Sequence, residues 1–93
     1  MTPKANMVHR IDENQPTIVK ALEDIGASVQ SLGGKGVPDL LVGYMGENYL
    51  LEVKHSKKGL NDDQIDWHAA WRGQVDVVRT IGQALRAVGV EYE

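Results

Sequence analysis

The sequence predicts an α/β fold: a mixed β-sheet sandwiched by helices, in the element order αβββαβαβ. Three observations predict it. Apolar residues recur at helical spacing in separate stretches, as in Ile18, Val19, Leu22 and Ile25, which fall on one helix face. Two dense apolar runs, Leu40-Leu41-Val42 and Tyr49-Leu50-Leu51, flank a turn rich in Gly and Asn, as in a β-hairpin. Short strand-like and helix-like segments then alternate to the end of the chain, a pattern that buries a sheet between helices.

Taken in order, the first helix spans Asn14 to Ile25, with Pro16 tolerated in its first turn and Gly26 ending it. Ala27 to Leu32 alternates and reads as an edge strand. Gly33-Gly34-Lys35-Gly36 is a flexible loop, and Val37-Pro38 leads into Asp39 and the hairpin. After the polar loop Ser56-Lys57-Lys58-Gly59, Asn61 is an N-cap. Asp62 and Asp63 suit the positive end of the helix dipole, and Gln64 stands at the capping-box position. This helix should run to Arg72 and stop at Gly73. Val75 to Arg79 is a strand, Thr80 caps a helix carrying Ile81, Leu85 and Val88, and Val90-Glu91-Tyr92 is a short final strand.

A chain of 93 residues is one domain, 1–93, with a modest core. Its 25% charged and 42% hydrophobic residues are ordinary for a globular protein. With no cysteine, disulfides and thiolate metal sites are excluded. No leader-like apolar segment follows Met1 and no stretch is long enough to span a bilayer, so the expectation is an intracellular, soluble protein with no membrane partner. The net charge of −3 runs against a nucleic-acid binder, whose affinity comes largely from phosphate contacts. Lys54, Lys57 and Lys58 nevertheless form a local basic cluster with His55.

The hairpin carries the most informative geometry. If Met45-Gly46 is a tight two-residue turn, paired residues have numbers summing to 91, so Leu41 faces Leu50, Leu40 faces Leu51 and Asp39 faces Glu52. Opposed side chains lie roughly 4.5–5.5 Å apart at Cβ, and Lys54 shares the face of Glu52 because side chains alternate along a strand. Two opposed carboxylates repel unless a positive group stands between them. Lys54 does part of this, and a hard divalent cation would do it better, because Mg²⁺ takes one or two carboxylates and keeps water and phosphate oxygens as its other ligands. A Glu-x-Lys triplet alone is most often a solvated strand face. Its convergence with Asp39 is what points to a site.

These residues also match a known pattern. Gly36-Val37-Pro38-Asp39, an apolar strand, a turn and Glu52-Val53-Lys54 resemble the PD-(D/E)xK nuclease superfamily. With Gln64-Ile65-Asp66-Trp67, Gly73 and Val77-Val78-Arg79 following in order, the chain resembles the VRR-NUC family more narrowly, from about Glu13 to Leu85. The resemblance implies a restriction-endonuclease-like core hydrolysing DNA phosphodiester bonds with Mg²⁺ or Mn²⁺. In it Asp39, Glu52 and the Val53 carbonyl would ligate the metal, Lys54 would act as base or charge stabiliser, and Gln64 and Glu13 would complete the catalytic set. Stand-alone members of this kind resemble phage-encoded homodimers acting on branched DNA such as Holliday junctions, in the cytoplasm of a bacterium or a phage-infected host.

Lys35, His55, Lys57, Lys58 and Arg79 are candidates for phosphate contact. For His55 a solvated loop residue is the plainer reading, and for Arg79 a surface ion pair. Lys35 lacks the full spacing of a phosphate-binding loop, so no nucleotide cofactor is expected. Gln64 reads as well as a helix-capping residue as a site residue. Trp67 and Trp71, four apart, read as core or, with Tyr92, as dimer anchors rather than as base-stacking platforms. His9, His55 and His68 show no metal-ligand spacing. The competing functions are a catalytically silent DNA-binding or assembly module with the same fold, and a small interaction protein whose charges are a surface network.

Overall fold

A computed structural model describes residues 14–91. Its elements are α1 (Gln15–Asp24), β1 (Ser28–Ser31), β2 (Leu40–Tyr44), β3 (Glu47–Val53), α2 (Asp62–Ala70), β4 (Asp76–Val78) and α3 (Ile81–Ala87). The strands form one sheet in the order β1-β2-β3-β4. The first two pairings are antiparallel and β3 pairs parallel with β4. A parallel neighbour needs a long return connection, and the segment carrying α2 supplies it.

The hairpin register is the one the turn arithmetic predicts: Leu40 pairs with Leu51, Leu41 with Leu50, and Tyr44 with Glu47. Both turn residues are left-handed, Met45 at φ 53° and Gly46 at φ 83°. That conformation matches the right-handed twist of the flanking strands. Alternation then divides β2 and β3 between two faces. Leu40, Val42, Leu51 and Val53 point into a core shared with Ile18, Leu22, Val78, Ala84, Leu85 and Val88. Removing each large apolar side chain from water contributes about 1.5–3 kcal/mol, so this one-sided core dominates stability.

The opposite face carries Leu41, Leu50, Glu52 and Lys54, and α2 lies over part of it. No residue of α2 is buried, so the second helical layer is only partial, in contrast to the full sandwich expected. The predicted end of α2 at Arg72 is also too late: Trp71 is already extended, with φ −72° and ψ 129°. The expected strand at Val90 does not form. Val90 N–H instead donates to the Leu85 carbonyl and Gly89 N–H to that of Arg86, the double closure of a helix C-terminus. Val90 is thus consumed in ending α3, Glu91 is in no strand, and Tyr92 lies outside the described residues.

Candidate active site

The backbone sets the position of the first carboxylate. In the hairpin register Pro38 falls opposite Val53, where a ladder hydrogen bond would be expected. Proline has no N–H to donate to the Val53 carbonyl. The Val53 N–H in turn bonds to the side chain of Asp39, reaching Oδ2 at 2.8 Å. Because N–H and C=O of one strand residue leave from the same edge, the Val53 carbonyl also points to the Asp39 side. Pro38 and Asp39 together therefore end the β2 ladder and fix a carboxylate on the Val53 main chain.

Glu52 is the centre of the cluster. It is 1% exposed, and Lys54 is 7% exposed. Lys54 Nζ stands 3.9 Å from Glu52 Oε2, an ion pair without a short hydrogen bond. Gln64 Nε2 donates to the same oxygen at 3.1 Å. Gln64 also serves as the cap, since its Oε1 accepts from Asn61 N–H at 3.0 Å and its own N–H donates to Asn61 Oδ1 at 2.9 Å. One amide thus satisfies both readings of the sequence: its oxygen closes the helix and its nitrogen holds the carboxylate. Gly36 makes the approach of α2 possible, because a Cβ there would run into the carbonyl of Asp63.

His68, one helical turn after Gln64, also reaches the cluster, although its spacing in the sequence points to no metal site. Its Nε2 lies 3.8 Å from Glu52 Oε1 and is buried without a hydrogen-bond partner. Burial, and then the charge of Lys54, hold its pKa below the usual histidine value. The signal that finds it is the i, i+4 relation to Gln64 on a helix face.

The remaining candidates lie around this centre. Arg79 Nη1 donates to the carbonyls of Ser56 at 3.0 Å and Lys58 at 2.6 Å, so it shapes the basic loop. His55, Lys57 and Lys58 are exposed on that loop, and Lys35 is exposed between Gly34 and Gly36. Asn14 Nδ2 donates to the carbonyls of Lys54 and Arg79, at 3.2 and 2.7 Å, tying together the ends of β3 and β4. Glu13 and His9 lie outside the described residues.

Among the described residues no three His, Asp or Glu side chains converge on one point. A cation here would rest on Asp39, Glu52, the Val53 carbonyl and water. That all-oxygen set suits Mg²⁺, which keeps several waters, and Mn²⁺, which favours the same ligands. The donor chemistry fits such an ion.

An α/β fold with a carboxylate and a Glu-x-Lys triplet at the end of a hairpin carries the features on which the sequence resembles the PD-(D/E)xK nucleases. No family model and no curated protein match the chain. A solved structure titled "VRR_NUC domain" does: the two share 28% sequence identity, with a TM-score of 0.66, over 84% of this chain and 92% of the other. The likeness to the VRR-NUC family read from the sequence thus holds in three dimensions.

Proposed function

We propose that this protein is a divalent-metal-dependent endonuclease that hydrolyses DNA phosphodiester bonds. The single observation that carries the reading is the cluster around buried Glu52, with Asp39 fixed on the adjoining backbone and Lys54 3.9 Å away. The likeness to a VRR-NUC domain supports it.

Asp39, Glu52 and the Val53 carbonyl would hold Mg²⁺ or Mn²⁺. When bound, such an ion polarises a phosphoryl oxygen and acidifies water. Gln64 keeps the Glu52 carboxylate oriented through the helix cap. Lys54, held out of bulk water, presents a positive charge where negative charge develops on phosphate, an arrangement worth more in a dry site than in solvent. Lys57 and Lys58 add phosphate contacts on the loop that Arg79 braces.

Selectivity for branched DNA is part of the same reading. A domain of net charge −3 holds duplex weakly, and a two-fold pair would place two sites and two basic loops on one junction. The test is a cleavage panel of single-stranded, duplex, flap and four-way DNA with Mg²⁺ or Mn²⁺ and with EDTA. Metal-dependent cutting strongest on the branched forms is expected. Binding without cutting on every substrate and with either metal would favour the silent DNA-binding module instead.

A further inference from the structure

The sheet face that carries Glu52 continues into an apolar groove. Asn48 and Leu50 precede Glu52 at two-residue steps on β3, and Leu41 pairs with Leu50 from β2. With Tyr49, Trp71 and Gln74 these residues line a groove of about 360 Å³. That lies within the range of about 300–1,000 Å³ usual for small-ligand sites. None of the lining side chains is charged.

Its wall is built to a defined geometry. Trp71 stacks on Trp67, with ring centroids 4.7 Å apart and planes 19° from parallel, yet Trp71 stays 44% exposed. Its Nε1 donates to the Gln74 carbonyl at 3.1 Å. Gly73 leaves room for the indole, since a Cβ there would come 2.9 Å from Nε1. The Gln74 amide is anchored in turn, accepting from Leu50 N–H at 2.7 Å and donating to the Leu50 carbonyl at 2.9 Å and to Asp76 at 3.0 Å. The wall thus offers an aromatic face whose polar neighbours are already engaged.

We propose that this groove is a base subsite: an unpaired nucleobase of the strand being cut stacks on Trp71 while its phosphate lies at Glu52 and Lys54. The inference rests on the nuclease reading and adds the substrate feature that the site selects. The two halves differ in chemistry as a nucleotide's do. One is charged and oxygen-rich, and the other is neutral, flat and apolar. Leu50 and Glu52 are two residues apart, about 6.6 Å along the strand, a span that a nucleotide bridges between phosphate and base. A paired base must first leave its stack, at a cost of a few kcal/mol, so the subsite favours strands with an unpaired nucleotide at the cut.

The test uses the full chain in EDTA, following tryptophan emission while a short single-stranded oligodeoxynucleotide is titrated in. The same oligonucleotide with abasic positions and a blunt duplex serve as further probes. Wild type should be quenched by the intact strand. Trp71→Ala should bind that strand about 5- to 150-fold more weakly, the equivalent of about 1–3 kcal/mol for one stacked base. Trp71→Phe should stay near wild type, and both variants should match wild type on the abasic strand. Cutting is then assayed with Mg²⁺ and with Mn²⁺. If wild type cuts and Trp71→Ala binds and cuts the intact strand as well as wild type does, the subsite is overturned and the nuclease reading stands. If Trp71→Ala instead converts a dimer to a monomer by light scattering and binds each strand unchanged, the groove is an interface and the proposal fails. If wild type cuts no DNA with either metal, the nuclease reading itself is lost.

Discussion

Gln64 donates from Nε2 to Glu52 Oε2 at 3.1 Å while its own Oε1 caps α2 by accepting from Asn61 N–H. Helix and site therefore share one amide, and the two functions separate by substitution. Gln64→Glu keeps a side chain able to form the capping box but sets a second carboxylate against buried Glu52. It should lower stability in EDTA by about 1–3 kcal/mol, the cost of losing a buried donor, and Mn²⁺ should restore part of that. Asn61→Ala should cost about 1 kcal/mol through the cap alone and leave cleavage near wild type. Urea titrations with and without Mn²⁺ check both. Equal effects of the two variants on cleavage would break the link.

Lys54→Met keeps the aliphatic stem and removes the charge. Buried Glu52 then loses the Lys54 charge beside it. Breaking a buried pair costs about 3–5 kcal/mol, and the 3.9 Å separation puts this one at or below the lower end. Cleavage should fall by roughly 10²–10³-fold, as when one transition-state donor is lost, while DNA binding persists. Cutting by Lys54→Met at the native rate would assign the role to another group.

His68 supplies a pH dependence. Its pKa is depressed in the fold by burial and by Lys54, so below about pH 6.5 the unfolded chain takes up the proton more readily. The stability this group contributes is present above that pH and is lost as pH falls towards the depressed folded value. Urea melts in EDTA between pH 5 and 8 should show this loss, and His68→Gln should flatten it. Identical slopes in the two proteins would mean that other groups govern the acid limb.

The hairpin turn offers a test of the fold apart from the site. Met45 is exposed and left-handed at φ 53°, a conformation costing an ordinary side chain about 1–2 kcal/mol. Met45→Asn gives the Asn-Gly pair that this turn favours and should stabilise by roughly 0.5–1 kcal/mol. For a domain of this size that raises Tm by several degrees, at about 4–8 °C per kcal/mol. A lower Tm would contradict the turn geometry.

Where local rules fix position, the sequence is readable. The turn at Met45-Gly46 sets the whole hairpin register, and with it the nearness of Asp39 to β3, because a slip of one residue would invert every side chain. The cap at Asn61 fixes the start of α2 and so the reach of Gln64. Contacts closed only by tertiary packing are not readable. Nothing local marks Gln74 as a side chain that extends the β3 edge by bonding to Leu50, or Asn14 as a clip between Lys54 and Arg79. The strand expected at Val90 fails for a readable reason, since Gly89 ends α3 and takes Val90 into that closure. Arg79 looks like a phosphate ligand by type, yet its contacts turn it inward to the loop carbonyls.

The most direct test of the account is a titration of Mn²⁺ into the chain, with binding followed by electron paramagnetic resonance of the free ion. Wild type should show a site that Mg²⁺ displaces, with affinity sharply reduced in both Asp39→Asn and Glu52→Gln. The site should be kept in Lys54→Met, where one positive charge fewer faces the ion. Wild-type affinity in Asp39→Asn and Glu52→Gln would contradict the claim that these two carboxylates form a metal-dependent active centre.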